Sequence, residues 1–291
     1  MTHPEILTAL TTPFTQDGAV DHDGFRRNLE HLEPLVDGVF VAGTTGEFLA
    51  LEPAEHAALV TACLEVFGPD RTVVHVGAPS TRQAVALAAE SSGLGARRFA
   101  ALTPYYLPAS TSGVIRHWAA INEAAEGDLY GYVYPDVAVT DVLPEALGQI
   151  LGSGIVGLKV SATASTRVAA YLANAPEGFK LWSGNDADVP AVMRAGGYGT
   201  VSGVSGACPS AWARLRDALA AADRAEAERA QSVIERVVPV LGPSIANLKH
   251  ALDAQGRAGG ACRMVIDQPL TDTIHRIDEV VDLVAQQGAN S

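Results

Sequence analysis

Residues 155–162 read IVGLKVSA, an apolar stretch with one lysine, Lys159, towards its carboxyl end. Such a run predicts a β-strand that is buried on both faces. The chain has only three lysines among its 20 lysine and arginine residues, so this placement needs an explanation. Burial favours the neutral, nucleophilic form of lysine, a form that arginine does not reach in proteins. Lys159 is therefore a candidate Schiff-base nucleophile, the alternative being a lysine whose amine reaches water at the strand end.

The composition limits the class of protein. Hydrophobic residues make up 48% and charged residues 18% of the 291, which predicts a folded core. The formal net charge of −13 argues against nucleic acid or an acidic membrane as a partner. No secretion signal and no membrane-spanning run is visible, so we expect a cytoplasmic protein. The three cysteines lie far apart and show no metal-ligand spacing, so no metal site is expected.

Strand-like and helix-like segments alternate on both sides of residues 155–162. Strands are predicted over 6–14, 38–43, 72–77, 98–103, 129–134, 155–162, 179–183 and 200–204. Eight such repeats in roughly 220 residues predict an α/β fold, a (β/α)₈ TIM barrel. The first turn lacks the glycine-rich phosphate loop that is typical of the competing open sheet. We expect the barrel over 1–223 and a helical C-terminal extension of the same domain over 224–291, with helices at 225–240, 244–254 and 271–285.

The active site of such a barrel forms at the carboxyl ends of the strands and in the loops that follow them. This rule selects residues 43–47, Tyr105, Tyr106, Tyr132, Tyr134, Lys159, Ser161, residues 183–186 including Gly184, and residues 202–205.

Small residues at 43–46 allow a ligand to approach backbone N–H groups, so this turn can hold a carboxylate. Alternatively, it is only a tight turn that is capped by its threonines. The tyrosines can transfer protons to a substrate oxygen, or they pack at an interface. We interpret Glu47 as an acceptor for backbone N–H groups and His75 as a hydrogen-bonded core histidine.

Five short motifs together resemble one enzyme family. They read GTTGE at 43–47, TPYY at 103–106, YVYP at 132–135, GLK at 157–159 and SGND at 183–186. In this order they resemble the dihydrodipicolinate synthase/N-acetylneuraminate lyase family, from about residue 6 to beyond residue 205. The resemblance implies a (β/α)₈ barrel with a helical extension, a homo-oligomer built as a dimer of dimers, and no cofactor.

The resemblance also implies catalytic roles. Lys159 matches the lysine that condenses with pyruvate or another 2-keto acid, and Tyr132 matches the tyrosine that moves protons at the substrate oxygen. Thr44 and Tyr106 match a proton relay in which one tyrosine of the TPYY pair enters from a partner subunit.

Four further residues are predicted to bind the substrate. Thr45 matches the threonine that holds the carboxylate of the keto acid, and Val201 matches a position whose backbone contacts it. Ser161 and Gly184 are selected by their places at the ends of strands six and seven.

Two positions depart from the family pattern. Val137 stands where dihydrodipicolinate synthases carry an arginine for a carboxylate of the aldehyde, and an apolar side chain cannot replace a guanidinium. The neighbouring motifs are more similar to 2-keto-3-deoxygluconate aldolases, which handle a hydroxylated aldehyde. Val160 replaces an acidic residue that is common in both groups, with no evident consequence from the sequence.

The sequence thus predicts a class I lyase that joins or separates pyruvate and an aldehyde, acting on a 2-keto-3-deoxy sugar acid. The alternative enzymes are a 4-hydroxy-tetrahydrodipicolinate synthase or a dehydratase with the same Schiff-base intermediate. The alternative outside enzymes is a keto-acid-binding regulatory barrel.

Overall fold

The structure, a computed structural model, describes residues 3–289. Within that range the strands are β1 (Glu5–Ala9), β2 (Gly38–Val41), β3 (Thr72–His75), β4 (Arg98–Leu102), β5 (Asp128–Val133), β6 (Gly157–Val160), β7 (Lys180–Ser183) and β8 (Gly199–Ser202). They follow one another around a closed barrel in chain order, and the pairs β1–β2 and β3 through β8 are parallel. The predicted TIM barrel is therefore confirmed.

Helices separate the strands and follow the last of them. In the described residues they are α1 (His22–Leu32), α2 (Pro53–Phe67), α3 (Thr81–Gly93), α4 (Thr111–Ala124), α5 (Pro135–Ala138), α6 (Leu147–Ile150), α7 (Val168–Ala173), α8 (Val189–Arg194), α9 (Pro209–Ala220), α10 (Arg224–Leu241), α11 (Ile245–Ala254) and α12 (Thr271–Ala289). None of these described helices is both long enough and apolar enough to cross a membrane.

Several observed strands are shorter than the predicted ones; β6, for example, is Gly157–Val160 and not residues 155–162. The first strand ends at Ala9 and not at residue 14; Pro13, which has no N–H for a ladder, excludes only the last part of the predicted strand. Residues 144–153 form 3₁₀ and α segments around α6 and not one continuous helix, because Gly148 and Gly152 weaken it. A 3₁₀ segment, Ala162–Arg167, likewise precedes α7.

The chain divides into two compact units. The first contains the chain up to Phe67 and from Ser202 onward. In it β1 pairs with β2, α9 packs on β1, and α10 packs on α9 and α12. The predicted boundary between residues 223 and 224 falls between α9 and α10, and the division that it marks stays a prediction.

The second unit is Gly68–Val201. At the start of its strands, the buried Arg98 guanidinium lies 5.6 Å from the Tyr130 ring centroid and 5.8 Å from that of Trp182. Lys180 opens β7 at the same end, with Nζ 3.8 Å from Asp128 Oδ2. This end of a barrel serves stability, so the reactive groups belong at the opposite ends of the strands.

Candidate active site

Lys159 lies on β6 between two strands that carry aromatic side chains. Its Cα pairs with Tyr132 of β5 and with Trp182 of β7. Lys159 is only 6% exposed, and its Nζ lies 4.0 Å from the centroid of the Tyr132 ring. The structure therefore brings together the predicted nucleophile and the predicted proton-transfer tyrosine.

Burial changes the chemistry of the Lys159 amine. It lowers the pKa from the ordinary 10.5 to about 7, and the Asp186 carboxylate opposes this shift only in part. Desolvation favours the neutral amine, which is the nucleophilic form. At neutral pH a large fraction of Lys159 is thus ready to attack a carbonyl carbon.

Asp186 is a buried carboxylate near Lys159 to which the sequence reasoning assigned no role. It is buried in the turn after β7, and Thr200 Oγ1 lies 3.2 Å from its Oδ1. The same hydroxyl donates to the carbonyl of Ser183 at 2.8 Å. The signal was present in the SGND motif, but only the fold shows that this carboxylate acts on Lys159.

Tyr132 is enclosed by other rings. The His75 ring meets it edge-on at a centroid distance of 6.0 Å, and the Tyr134 ring lies 6.2 Å away. His75 Nε2 accepts the backbone N–H of Leu102 at 3.3 Å, so its proton is assigned to Nδ1. His75 is buried, which confirms the predicted core histidine.

Ser161 and Gly184 lie side by side at the ends of β6 and β7. The Gly184 N–H donates to the Val160 carbonyl at 2.7 Å. A Cβ atom at position 184 would stand 2.6 Å from Ser161 Oγ, so a larger residue there would displace this hydroxyl. Val201 is buried on β8, and its predicted backbone contact with the keto acid stays a prediction.

Tyr106 does not join Lys159 and Tyr132 within one chain. Its side chain is 86% exposed, and its backbone has a φ of +73°, which is unusual for a residue with a side chain. Leu107 beside it is also exposed. An exposed aromatic and leucine pair is typical of a surface that contacts another molecule.

The turn at 43–47 belongs to the other unit. The Gly46 N–H donates to the Gly43 carbonyl at 3.0 Å, and the Glu47 N–H donates to the Thr44 carbonyl at 3.1 Å. Thr44 and Thr45 are half-buried. Neither the amide nor the hydroxyl of Thr45 donates to another of the described residues. The turn can therefore present hydrogen-bond donors to a carboxylate.

The two departures from the family pattern have different surroundings. Val160 is fully buried and, because side chains alternate along a strand, lies on the opposite face from Lys159. Val137 is exposed on α5, beside Asp136, whose carboxylate accepts hydrogen bonds from the amide and hydroxyl of Thr163. Of these two valines, only Val137 has an exposed side chain.

The comparisons with known proteins agree with this geometry. The model of the dihydrodipicolinate synthetase family matches residues 3–286, which confirms the resemblance carried by the five motifs. A 4-hydroxy-tetrahydrodipicolinate synthase of Methylibium petroleiphilum is 33% identical over 286 residues, 95% of this chain and 94% of the relative.

Solved structures share the fold. A dihydrodipicolinate synthase of Bacillus anthracis has a TM-score of 0.89 at 22% identity, over 97% of this chain and 98% of the other. The wild-type sialic acid aldolase of Ruminococcus gnavus has a TM-score of 0.90 at 19% identity, over 99% of both chains. The chain therefore belongs to the dihydrodipicolinate synthetase family, and it is a carbon–carbon lyase of the Schiff-base type.

Proposed function

We propose that this enzyme binds pyruvate as an imine on Lys159 and joins it to an aldehyde, or catalyses the reverse cleavage. The observation that carries the proposal is a buried lysine with a pKa of about 7 against the ring of Tyr132. A structural lysine would need a compensating charge, whereas a lowered pKa is what a nucleophilic amine requires.

The proposed reaction passes through an imine and then an enamine on Lys159. The neutral Lys159 amine attacks the keto carbon of pyruvate and gives a carbinolamine, which loses water and leaves a protonated imine. This imine withdraws electrons, so C3 loses a proton and an enamine forms. The enamine carbon attacks the aldehyde carbon, the aldehyde oxygen takes up a proton, and water then releases the product from Lys159.

The remaining catalytic roles come from the family resemblance. Tyr132 transfers the proton that the carbinolamine oxygen needs in order to leave as water. Thr44 and Tyr106 complete the relay, with Tyr106 entering from a second copy of the chain in a homo-oligomer. The exposure of Tyr106 in a single chain supports this arrangement.

Four residues bind the keto acid or its partner in this proposal. The Thr45 amide and hydroxyl receive the carboxylate of pyruvate, and the backbone at Val201 contacts the keto acid. Ser161 and Gly184 border the space in which the aldehyde reacts, and their mutual contact supports a shared role.

The identity of the aldehyde separates two candidate reactions. The relative at 33% identity is named a 4-hydroxy-tetrahydrodipicolinate synthase, which favours the alternative over the sugar-acid aldolase that the motifs favoured. We therefore place synthesis from aspartate semialdehyde first. The exposed Val137 favours a hydroxylated aldehyde as the second candidate, because it offers no cation to a second carboxylate.

Borohydride trapping tests imine formation, which both candidate reactions share. A substrate panel then tests which aldehyde the enzyme uses. Incubation of the full chain with pyruvate and borohydride is expected to reduce the imine and label Lys159, but neither Lys180 nor Lys249. Peptide mapping that finds no label, or another labelled lysine, would contradict the mechanism. Consumption of pyruvate with aspartate semialdehyde and with glyceraldehyde then ranks the two reactions by kcat/KM.

A further inference from the structure

Glu47 closes the turn at 43–47, and its charge is completely buried. Its side chain is 0% exposed, and its Oε1 meets the Nζ of Lys249, which is 2% exposed, at 2.5 Å. Burying two charges is costly, and the cost is recovered only when every donor and acceptor is well paired. Apolar side chains would fill the same volume at lower cost, so the pair requires a reason beyond core packing.

The pair connects three separate segments of one unit. The Lys249 amine belongs to α11 and also donates to the carbonyl of Ala261 at 2.5 Å. The second oxygen of Glu47 accepts the backbone N–H groups of Arg263 and Met264 at 2.8 and 2.7 Å. The carboxylate therefore fastens the turn to the loop that follows α11.

Arg263 fastens the same loop to the chain on the other side of the turn. Its guanidinium forms two bonds with the Glu55 carboxylate, of 2.6 and 2.8 Å, and donates to the Ala50 carbonyl at 2.7 Å. It also lies 4.1 Å from the centroid of the Phe14 ring. The segment that leaves the turn is thus held at Glu47 and again at Ala50.

The backbone at Glu47 shows why the turn needs this support. Glu47 has a φ of +56°, a left-handed conformation that side chains other than glycine disfavour. Such a conformation persists where the surrounding structure holds it. In this conformation the Glu47 N–H donates to the Thr44 carbonyl, which closes the turn around Thr44 and Thr45.

We propose that the Lys249–Glu47 pair is a positioning device that holds the turn at 43–47 so that the donors of Thr45 meet the carboxylate of the 2-keto acid. Lys249 and Glu47 act through the turn and do not touch the substrate. The inference rests on the proposed function, because the turn has this task only if a keto acid binds there.

The experiment measures imine trapping at Lys159 in three single variants and one double variant of the full chain. Lys249→Met removes the ammonium and keeps the length of the side chain, and Glu47→Gln keeps the shape of the carboxylate without its charge. Ile234→Ala is the control, because Ile234 is fully buried on α10 in the same unit and its loss lowers the melting temperature.

If the pair positions the turn, both pair variants raise the pyruvate concentration for half-maximal trapping by about 10- to 100-fold, the scale of a small misplacement. Trapping of acetone, a ketone without a carboxylate, stays at the wild-type rate. Ile234→Ala keeps wild-type half-saturation for pyruvate although its melting temperature falls. The double variant Lys249→Met/Glu47→Gln regains thermal stability, because no unpaired charge remains, but keeps the raised half-saturation.

Two results would overturn the inference. The pair is purely a stability element if Lys249→Met and Glu47→Gln lose stability but keep wild-type half-saturation. The inference is also wrong if the trapping of pyruvate and the trapping of acetone fall by the same factor in the pair variants. If Lys249→Met does not fold, Glu47→Gln decides alone. A wild-type chain that traps no pyruvate contradicts the proposed function itself, which separates the two failures.

Discussion

Lys159 and Lys249 are both almost fully buried, but they lie in different units and meet opposite surroundings. Lys249 meets a carboxylate at 2.5 Å and a backbone carbonyl, so its positive charge is matched. Lys159 has an aromatic ring at 4.0 Å, and its pKa falls to about 7. Burial alone therefore does not make a lysine reactive. For Lys159, desolvation outweighs the nearby negative charge, so the pKa of its amine is lowered.

Substitution of the two lysines is expected to give the largest difference between them. Lys159→Arg keeps a positive charge but loses the nucleophile, so turnover falls by more than about 10⁴-fold, the scale of removing a covalent group. Borohydride trapping disappears with it. Lys249→Met keeps labelling at Lys159 when pyruvate is saturating. Labelling of Lys249 in the wild type would show that the two lysines were assigned the wrong way round.

The partners of Lys249 all come from its own chain, whereas the proposed relay for Lys159 needs a neighbour. Tyr106→Phe is therefore expected to slow turnover by ~10²–10⁴-fold, the range for one positioned proton-transfer group. Trapping persists, because the amine remains. Retained turnover would make Tyr106 a packing residue, since phenylalanine keeps the ring.

Hybrid oligomers of two variants test whether Tyr106 acts in the site of a neighbouring copy of the chain. Inactive Lys159→Ala chains combined with inactive Tyr106→Phe chains regain activity if the tyrosine crosses between copies. Verified hybrids without activity would confine Tyr106 to its own chain.

The two lysines should also affect stability in opposite directions. Lys249→Met leaves Glu47 as an unpaired buried charge and should cost about 3–5 kcal/mol of unfolding free energy. The folded pKa of Lys159 lies below its unfolded value of 10.5, so its burial destabilises the fold below pH 7, an effect lost as the pH rises towards 10.5. Lys159→Met should therefore raise the melting temperature at pH 6 and have little effect at pH 10.5. Calorimetry at the two pH values measures the stability of both variants. Equal losses of unfolding free energy for Lys249→Met and Lys159→Met would contradict this contrast.

The sequence pointed to Lys159 because its signal is local: one lysine in an apolar strand within a regular βα alternation. Glu47 was correctly expected to accept backbone N–H groups. Its partner Lys249, 202 residues away, could not be foreseen, because a long-range ion pair leaves no periodic pattern. The same holds for Asp186, whose action on Lys159 depends on how the turn after β7 lies beside β6. Contacts between residues that are far apart in the chain can be seen only in the structure, whereas the strands that carry these residues can be predicted from the sequence.

The pKa of Lys159 predicts the pH dependence of imine formation. The neutral amine reacts, so its fraction rises through pH 7 and reaches a plateau above it. With a pKa of about 7, the initial trapping rate at saturating pyruvate is expected to be about tenfold higher at pH 8 than at pH 6. A rate that still climbs steeply beyond pH 9 would mean that Lys159 titrates like an exposed lysine.

The smallest expected effect is that of substituting Asp186, whose carboxylate opposes the lowering of the Lys159 pKa. Its charge raises the pKa of Lys159, so Asp186→Asn should lower this pKa further and move the acid limb of the trapping profile to lower pH. Asparagine keeps an oxygen for the Thr200 hydroxyl, so the turn should hold its shape. The rate at pH 6, relative to its own plateau, should rise about two- to threefold. Asp188→Asn is the matched control, because this exposed neighbour should leave the profile unchanged. If the acid limb of Asp186→Asn moves to higher pH, the carboxylate does not act by stabilising the protonated amine. Desolvation would then be left as the cause of the Lys159 shift, whereas the Glu47 carboxylate would still distinguish Lys249.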